Sequence, residues 1–235
     1  MFYTFQRPKS RPVLLSNHCQ LCGTLLFPHE QSVCQLCWSS VPKCSTADLQ
    51  KINTAHFCYP HILSFHAHAQ FNGPASTIAH EFKYQGAGHL AKLAGQQMAP
   101  MVKSYLIKDL EQGYSPYMLP MPVHWRRWVK RGYNQSTQLC HGIQKALKSS
   151  GHSMELETSL LKKRRHSKSQ VSFGADQRWG NVNNALECSH TPNPGVAYII
   201  DDTCTTGATL FSAAHCLKKK QPNLAVRLFA YAYEC

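Results

Sequence analysis

The sequence predicts an α/β fold, a parallel sheet flanked by helices, preceded by a small metal-held segment. Three observations carry that expectation. Near the C-terminus the apolar run Val196 to Ile200 is followed by a helical pattern from Ala208 to Lys219 and a second apolar run from Leu224 to Tyr233, which together make a βαβ unit. Such a unit implies parallel strands with helices laid over them. Residues 1–60, by contrast, are rich in Cys, His, Pro and Gln and show no sustained apolar period, as expected of a segment without a core of its own. At 235 residues the chain has room for one principal core and a small appendage, divided near residue 60, so that 61–235 form the α/β domain.

Composition narrows the class. Lysine plus arginine outnumber aspartate plus glutamate by 25 to 12, a formal charge of +13, which favours an anionic partner such as a phosphorylated metabolite or nucleic acid. The segment Met1 to Pro8 lacks the apolar stretch of a secretory signal, and no run reaches the roughly eighteen apolar residues of a membrane span. A cytoplasmic protein is expected. Eleven cysteines in a chain able to bury a sizeable core suit metal ligation in a reducing compartment better than a disulfide framework.

From Leu63 the residues Leu63, Phe65, Ala67, Ala69 and Phe71 alternate with Ser64, His66, His68 and Gln70, the period of a half-buried strand with His66 and His68 on its outer face. A helix carrying Ile78 and Phe82 on one face follows Gly73-Pro74. A second helix, marked by Leu90, Leu93, Ala94, Met98, Met101 and Tyr105, is bent or interrupted at Pro100. Tyr117 to Val123 reads as a short strand whose prolines argue for an edge or a strand end. Asn134 is a candidate N-cap for a helix with Leu139, Ile143, Ala146 and Leu147 on one face, stopping near Gly151. Residues 162–184 carry a charge run and read as a surface loop.

Cys19-x-x-Cys22 and Cys34-x-x-Cys37, separated by an eleven-residue connector, present four thiolates as two knuckles, a spacing suited to tetrahedral zinc. A closed four-sulfur set leaves no position for water, so this zinc is expected to be structural. Cys44, His56, Cys58 and His61 are candidates for a second site, against the alternative of a linker with incidental Cys and His.

The chemistry-bearing run is Asp201-Asp202-Thr203-Cys204-Thr205-Thr206-Gly207-Ala208-Thr209. An apolar strand entering two carboxylates, then a small-residue loop and a helix, lays out an anion site at the carboxyl edge of a parallel sheet. Gly207 and Ala208 allow close backbone approach to a phosphate, and Thr205, Thr206 and Thr209 add hydroxyl donors to the free N–H groups of the helix start. Adjacent carboxylates repel a phosphate but accept hydrogen bonds from a diol. A ribose 5-phosphate supplies both groups. The plainer alternative is a strand end with an Asp N-cap and an ordinary helix. Cys204 is read as a small loop residue rather than a thiol activated by the helix start.

This run resembles the signature of the type I phosphoribosyltransferases, an apolar strand, two acidic residues and a loop ending Thr-Thr-Gly-Ala-Thr. The resemblance implies that Asp201 and Asp202 hold the ribose hydroxyls of phosphoribosyl pyrophosphate, and that Thr203 to Thr209 bind its 5'-phosphate. A second constellation, Pro120 to Gln135, joins a strand end to clustered cations and a helix start. Departing pyrophosphate needs cations or Mg²⁺ where its charge accumulates, and Arg126, Arg127, Lys130 and Arg131 are the candidates. A solvated basic loop, or a DNA contact with Trp125, Trp128 and Tyr133 as stacking faces, remains open. The third basic segment, Lys162 to Gln170 through Arg178 and Asn181, is a lid over a polyanion, a nucleic-acid patch or a solvated face.

Together these pieces resemble the ComF family, also called the GntX or amidophosphoribosyltransferase-like family, which is associated with DNA uptake in natural competence. The resemblance runs in order through a zinc ribbon, Phe82-Lys83-Tyr84-Gln85-Gly86, the Pro-x-Pro strand with Arg-Gly-Tyr-Asn-Gln, Ser-x-x-Gln at Ser167 to Gln170, Arg178-x-x-Asn181 and the phosphate loop. It implies a type I phosphoribosyltransferase core behind a small zinc ribbon, with Lys83 at the active-site edge, the 124–134 loop on pyrophosphate, and Gln170 and Arg178 in a lid. The family usually has Thr where Ser167 stands and a different stretch at Val171 to Ala175. The expected ligand is phosphoribosyl pyrophosphate, or a related ribose phosphate, with Mg²⁺. Single-stranded DNA and a competence helicase or DNA-processing protein are the expected partners, and the rival class is a non-catalytic DNA-binding or adaptor protein on the same fold.

Overall fold

A computed structural model describes residues 17–55, 62–84, 87–163 and 186–234. Its core is a five-stranded, all-parallel sheet built from β1 (Ile62–Gln70), β2 (Pro116–Pro120), β3 (Glu155–Leu156), β6 (Val196–Cys204) and β7 (Ala225–Tyr233), in the order β1-β7-β6-β2-β3. A separate antiparallel pair joins β4 (Leu161–Lys163) to β5 (Leu186–Cys188). The expected α/β class, with a parallel sheet and a small four-cysteine segment ahead of it, is borne out.

Alternation along β6 divides the core into two layers. Val196, Tyr198 and Ile200 point to one side, where they meet residues of α3 (Gly73–Glu81), α4 (Gly88–Glu111) and α6 (Gln135–Ser149). Ala197 and Ile199 point to the other, against Leu210, Phe211 and Leu217 of α7 (Ala208–Lys220) and Leu161 and Leu186 of the β4–β5 pair. Helices α4 and α6 cross at very short range, because Gly95 and Gly142 face the partner backbone: a Cβ built on Gly142 meets the carbonyl oxygen of Lys92 at 1.9 Å. The four-cysteine segment adds Cys19, Leu21, Val33, Cys34 and Cys37 to the first layer. Two short helices, α1 (Gln35–Ser39) and α2 (Thr46–Ala55), lead from it towards β1.

Tertiary packing changes two expectations. His66 and His68 do not form a solvent face of β1, because helices and aromatic rings cover that side as well. His68 is 9% exposed, and the imidazole of His66 stacks on Tyr105 with centroids 4.0 Å apart. Nor is β2 an edge strand: it pairs with β6 on one side and with the two residues of β3 on the other, its prolines standing at its two ends. Pro100 sits inside a continuous α4.

A buried ion pair joins β7 to α4. Arg227 of β7 forks onto Asp109 near the end of α4, Nε to Oδ2 at 2.8 Å and Nη2 to Oδ1 at 2.5 Å. Tyr198 Oη also donates to Asp109 Oδ2, and Arg227 Nη1 donates to Ser64. Burial works against the Asp109 carboxylate, but hydrogen bonds from Arg227 and Tyr198 and the arginine's charge overcome it and hold its pKa below the usual range.

Candidate functional site

Strands β2 and β6 are neighbours from which the chain departs in opposite directions. After β2 it passes through α5 (Trp125–Arg131) and α6 to β3 on one side, and after β6 it passes through α7 to β7 on the other. The crevice outside the carboxyl ends of two such strands is where open α/β sheets place ligands. β6 does not stop at Ile200 but runs on through the acid pair to Cys204, paired with β7, and the small-residue turn of Thr205 to Gly207 follows it; the segment after β2 is the basic one. The two constellations singled out in the sequence, far apart along the chain, therefore meet at one sheet edge.

Asp201 is buried, at 8% exposure, and Asp202 half-buried. Oδ1 of Asp201 accepts from the backbone N–H of Asp202 at 2.8 Å and from Oγ of Ser136, in the first turn of α6, at 3.2 Å. Burial first, and then the charge of Asp202, push the pKa of Asp201 well above the usual carboxylate range. Asp202 Oδ1 accepts from the N–H of Thr203. The buried hydroxyl of Thr203 has no hydrogen-bond partner among the described residues.

The loop turns at Gly207, whose φ of 76° needs a residue without a Cβ, and that glycine is the N-cap of α7 without offering a side chain to it. Thr205, Thr206 and Thr209 are exposed around the turn, and Thr206 Oγ1 lies 3.4 Å from the N–H of Ala208. Cys204 is buried, and burial followed by the charge of Asp201 pushes its thiol up to about 12. It is a protonated packing residue at neutral pH.

None of the seven residues of α5 is buried. His124 caps the helix start, and Gly132, at φ 80°, closes its end with an N–H to the carbonyl of Trp128. Its cations divide. Arg131 is half-buried, its pKa lowered by burial and by the charge of Arg127, against the favourable charge of Asp202. Arg126 lies over the ring of Trp125, 5.5 Å from the centroid, and Lys130 is exposed. Lys83 is exposed in the turn after α3, which Tyr133 pins: its Oη lies 2.8 Å from the carbonyls of both Phe82 and Tyr84.

One cation went unselected in the sequence. Lys163, at the end of β4, is half-buried and its pKa is lowered by burial and then by the charge of Arg127, with Asp201 and Asp202 acting the other way. It therefore shares the electrostatic field of the acid pair and α5. In the sequence it is the second lysine of the charge run read as a lid, a nucleic-acid patch or a solvated face, and nothing in such a run tells which lysine folds inwards. Gln170 and Arg178, the lid candidates, lie outside the described residues.

In the N-terminal segment the sulfurs of Cys19, Cys22, Cys34 and Cys37 lie within 4.8 Å of one another. Cys22 and Cys34 Sγ are 3.7 Å apart, close to the edge of about 3.8 Å of a tetrahedron with metal–sulfur bonds of about 2.3 Å. The N–H groups of Cys34 and Cys37 point at the sulfurs of Cys19 and Cys34, which supports thiolate charge. This set fits a tetrahedral metal ion. Of the second candidate set only Cys44 is described, and His56, Cys58 and His61 lie outside the described residues.

No family model matches the chain. It is similar to Competence protein F of Haemophilus influenzae, with 27% identity over an alignment of 155 residues and coverage of 62% of this chain and 62% of that protein. The chain thus matches less than two thirds of that relative's length. The resemblance read from the motifs is met here by similarity in sequence. Among solved structures it is similar to a hypoxanthine phosphoribosyltransferase from Staphylococcus aureus, at a TM-score of 0.33 and 12% identity over 59% of this chain and 62% of that one. It is also similar to the hypoxanthine-guanine phosphoribosyltransferase of L. donovani, at a TM-score of 0.36 and 11% identity over 60% and 67%. At these TM-scores the likeness bears on neither the site nor its chemistry.

Proposed function

We propose that the chain binds phosphoribosyl pyrophosphate, or a closely related ribose 5-phosphate, at the carboxyl edge of β2 and β6. The observation that carries this reading is the meeting of a carboxylate pair, a glycine-capped helix start and a cationic helix in one crevice. Asp201 and Asp202 accept hydrogen bonds from the ribose hydroxyls, and the N–H groups and hydroxyls of Thr203 to Thr209 take the 5'-phosphate. Arg127, Arg131 and Lys163 neutralise the pyrophosphate, with Lys83, Arg126 and Lys130 on the solvent side. Mg²⁺ bound with the pyrophosphate would supply further charge neutralisation on the leaving group. The four-cysteine cluster holds a structural zinc.

Similarity to Competence protein F supports a role in the cytoplasmic handling of transforming DNA, with single-stranded DNA and a helicase or DNA-processing protein as partners. A second reading, a non-catalytic DNA-binding or adaptor protein, draws on one observation: Trp125, Trp128 and Val129 of α5 are all more than half exposed beside its cations.

Titration calorimetry separates the two. Phosphoribosyl pyrophosphate with Mg²⁺ should give saturable heat that Asp201→Asn with Asp202→Asn abolishes, while single-stranded DNA binding survives that change. Binding of DNA with a steep salt slope, and no heat from the sugar phosphate, would leave the second reading in place of the first.

A further inference from the structure

The residues that tie α6 to the acid pair form a closed ring. The N–H of Met121, just past β2, donates to the carbonyl of Ile200 at 2.8 Å, and the carbonyl of Met121 accepts from Nδ2 of Asn134 at 3.0 Å. Asn134 Oδ1, capping α6, accepts from the N–H of Ser136 at 3.0 Å. The hydroxyl of Ser136 returns to Asp201 at 3.2 Å, next in sequence to Ile200. Ser136 is 4% exposed, so water does not compete for these bonds.

Helix α5 lies between Met121 and Asn134 and buries none of its own residues. Its position over the crevice is therefore set at its two ends, and both ends belong to the ring. Two donors, Ser136 Oγ and the N–H of Asp202, converge on Oδ1 of Asp201. They fix the rotation of that carboxylate, so that the second oxygen is the one presented to a hydroxyl.

We propose that Ser136 and Asn134 are positioning residues of the site: Ser136 orients the Asp201 carboxylate, and Asn134 sets the spacing between the acid pair and the cations of α5. What the carboxylates hold rests on the ribose-phosphate reading above; the ring itself does not. Neither residue touches the ligand in this scheme. Each acts through a neighbour, Ser136 on the hydroxyl-binding half and Asn134 on the pyrophosphate half.

The ring can be tested in the free protein. The groups whose charge reaches Asp201 are Asp202 on β6 and Lys163 on β4, with Arg127 acting on Lys163 and Arg131 on Asp202, while the neighbouring Cys204 thiol stays protonated. Against that background the Ser136 hydroxyl favours the ionised form of Asp201. Carbon-13 NMR of aspartate carboxyls should show the midpoint of Asp201 rising by about one pH unit in Ser136→Ala, as expected for loss of a hydrogen bond to a charged group. Ser136→Thr restores the wild-type midpoint. Ser136→Cys, with its weaker donor, gives a rise of the same sign should the alanine variant fold poorly.

With phosphoribosyl pyrophosphate and Mg²⁺, Ser136→Ala should bind about tenfold more weakly below the shifted midpoint and recover above it. Asn134→Ala should bind more weakly at every pH. An unchanged carboxyl titration in Ser136→Ala overturns the role of the ring, whatever the ligand does. A wild-type chain that gives the expected titration but takes up no sugar phosphate overturns the ribose-phosphate reading and leaves the ring standing.

Discussion

Replacing Gly142 with alanine tests the close crossing of α4 and α6, on which the position of Ser136 depends. The added Cβ would lie 1.9 Å from the carbonyl oxygen of Lys92, 2.9 Å from its carbon and 3.0 Å from the N–H nitrogen of Gln96. All three are backbone atoms, so no side chain can swing aside. Ordinary contact begins at 3.4 Å, and the helices must part by about 1.5 Å. Alanine is the better helix former by about 1 kcal/mol, whereas overpacking costs about 1–3 kcal/mol and more against rigid neighbours. At the upper end of that range the clash wins, leaving a net loss of about 2 kcal/mol, or roughly 4–8 °C in Tm for a chain of this size. Urea unfolding with zinc in excess measures it. Gly88→Ala is the control, since its Cβ would meet the Tyr133 ring at 3.5 Å, an ordinary contact, and should fall within about 0.5 kcal/mol of wild type. A Gly142→Ala protein as stable as wild type, or stabilised by the helix-propensity gain, would refute the backbone-to-backbone crossing.

Three further outcomes follow from the same geometry. Purified chain should carry one zinc by elemental analysis, and chelation or Cys37→Ser should speed hydrogen exchange over residues 17–41 while β6 and β7 stay protected. Stability should fall on acidification through two histidines. Burial, and then the charges of Arg227 and Lys108 for His66 and of Lys43 for His68, lower both to about 4. The unfolded chain takes up these protons near pH 6.5, so the stabilisation is complete above that value and is lost as pH falls through the window towards 4. At about pH 5 the loss is about 2 kcal/mol for each histidine; His66→Asn with His68→Gln should flatten the dependence measured by urea unfolding. Lys163→Ala should weaken phosphoribosyl pyrophosphate binding about tenfold by calorimetry with unchanged Tm, and an unchanged affinity would remove Lys163 from the site.

Much of the candidate site was legible because its parts are local. The strand, acid pair and small-residue turn from Val196 to Thr209 are contiguous, so their order along the chain already placed the carboxylates between a buried strand and a helix start, although the strand runs on through them to Cys204. The same holds for the two Cys-x-x-Cys knuckles, whose short spacing prescribes a shared centre. The Asn134 cap was readable for the same reason: a polar side chain ahead of an apolar period reaches only its own first turn. Lys163 was not, because a run of cations looks alike along its length until a fold buries one of them. His66 and His68 looked solvent-facing, because alternation along one strand shows which residues share a face and not whether both faces are covered.

The sequence alone thus determined the α/β class, the C-terminal βαβ unit, the four-cysteine cluster, and which short segments are candidates for a phosphate and a diol. All of these are set by chain neighbours, through backbone propensity and side-chain chemistry. Only the tertiary structure decided that the loops after β2 and β6 face one crevice, that Ser136 reaches Asp201, that α4 and α6 touch through glycines, and that Asp109 and Arg227 pair inside the core. Each of those joins residues brought together by strand order and helix packing, whose free energy comes from burial summed over the whole core and leaves no mark in any one stretch of sequence.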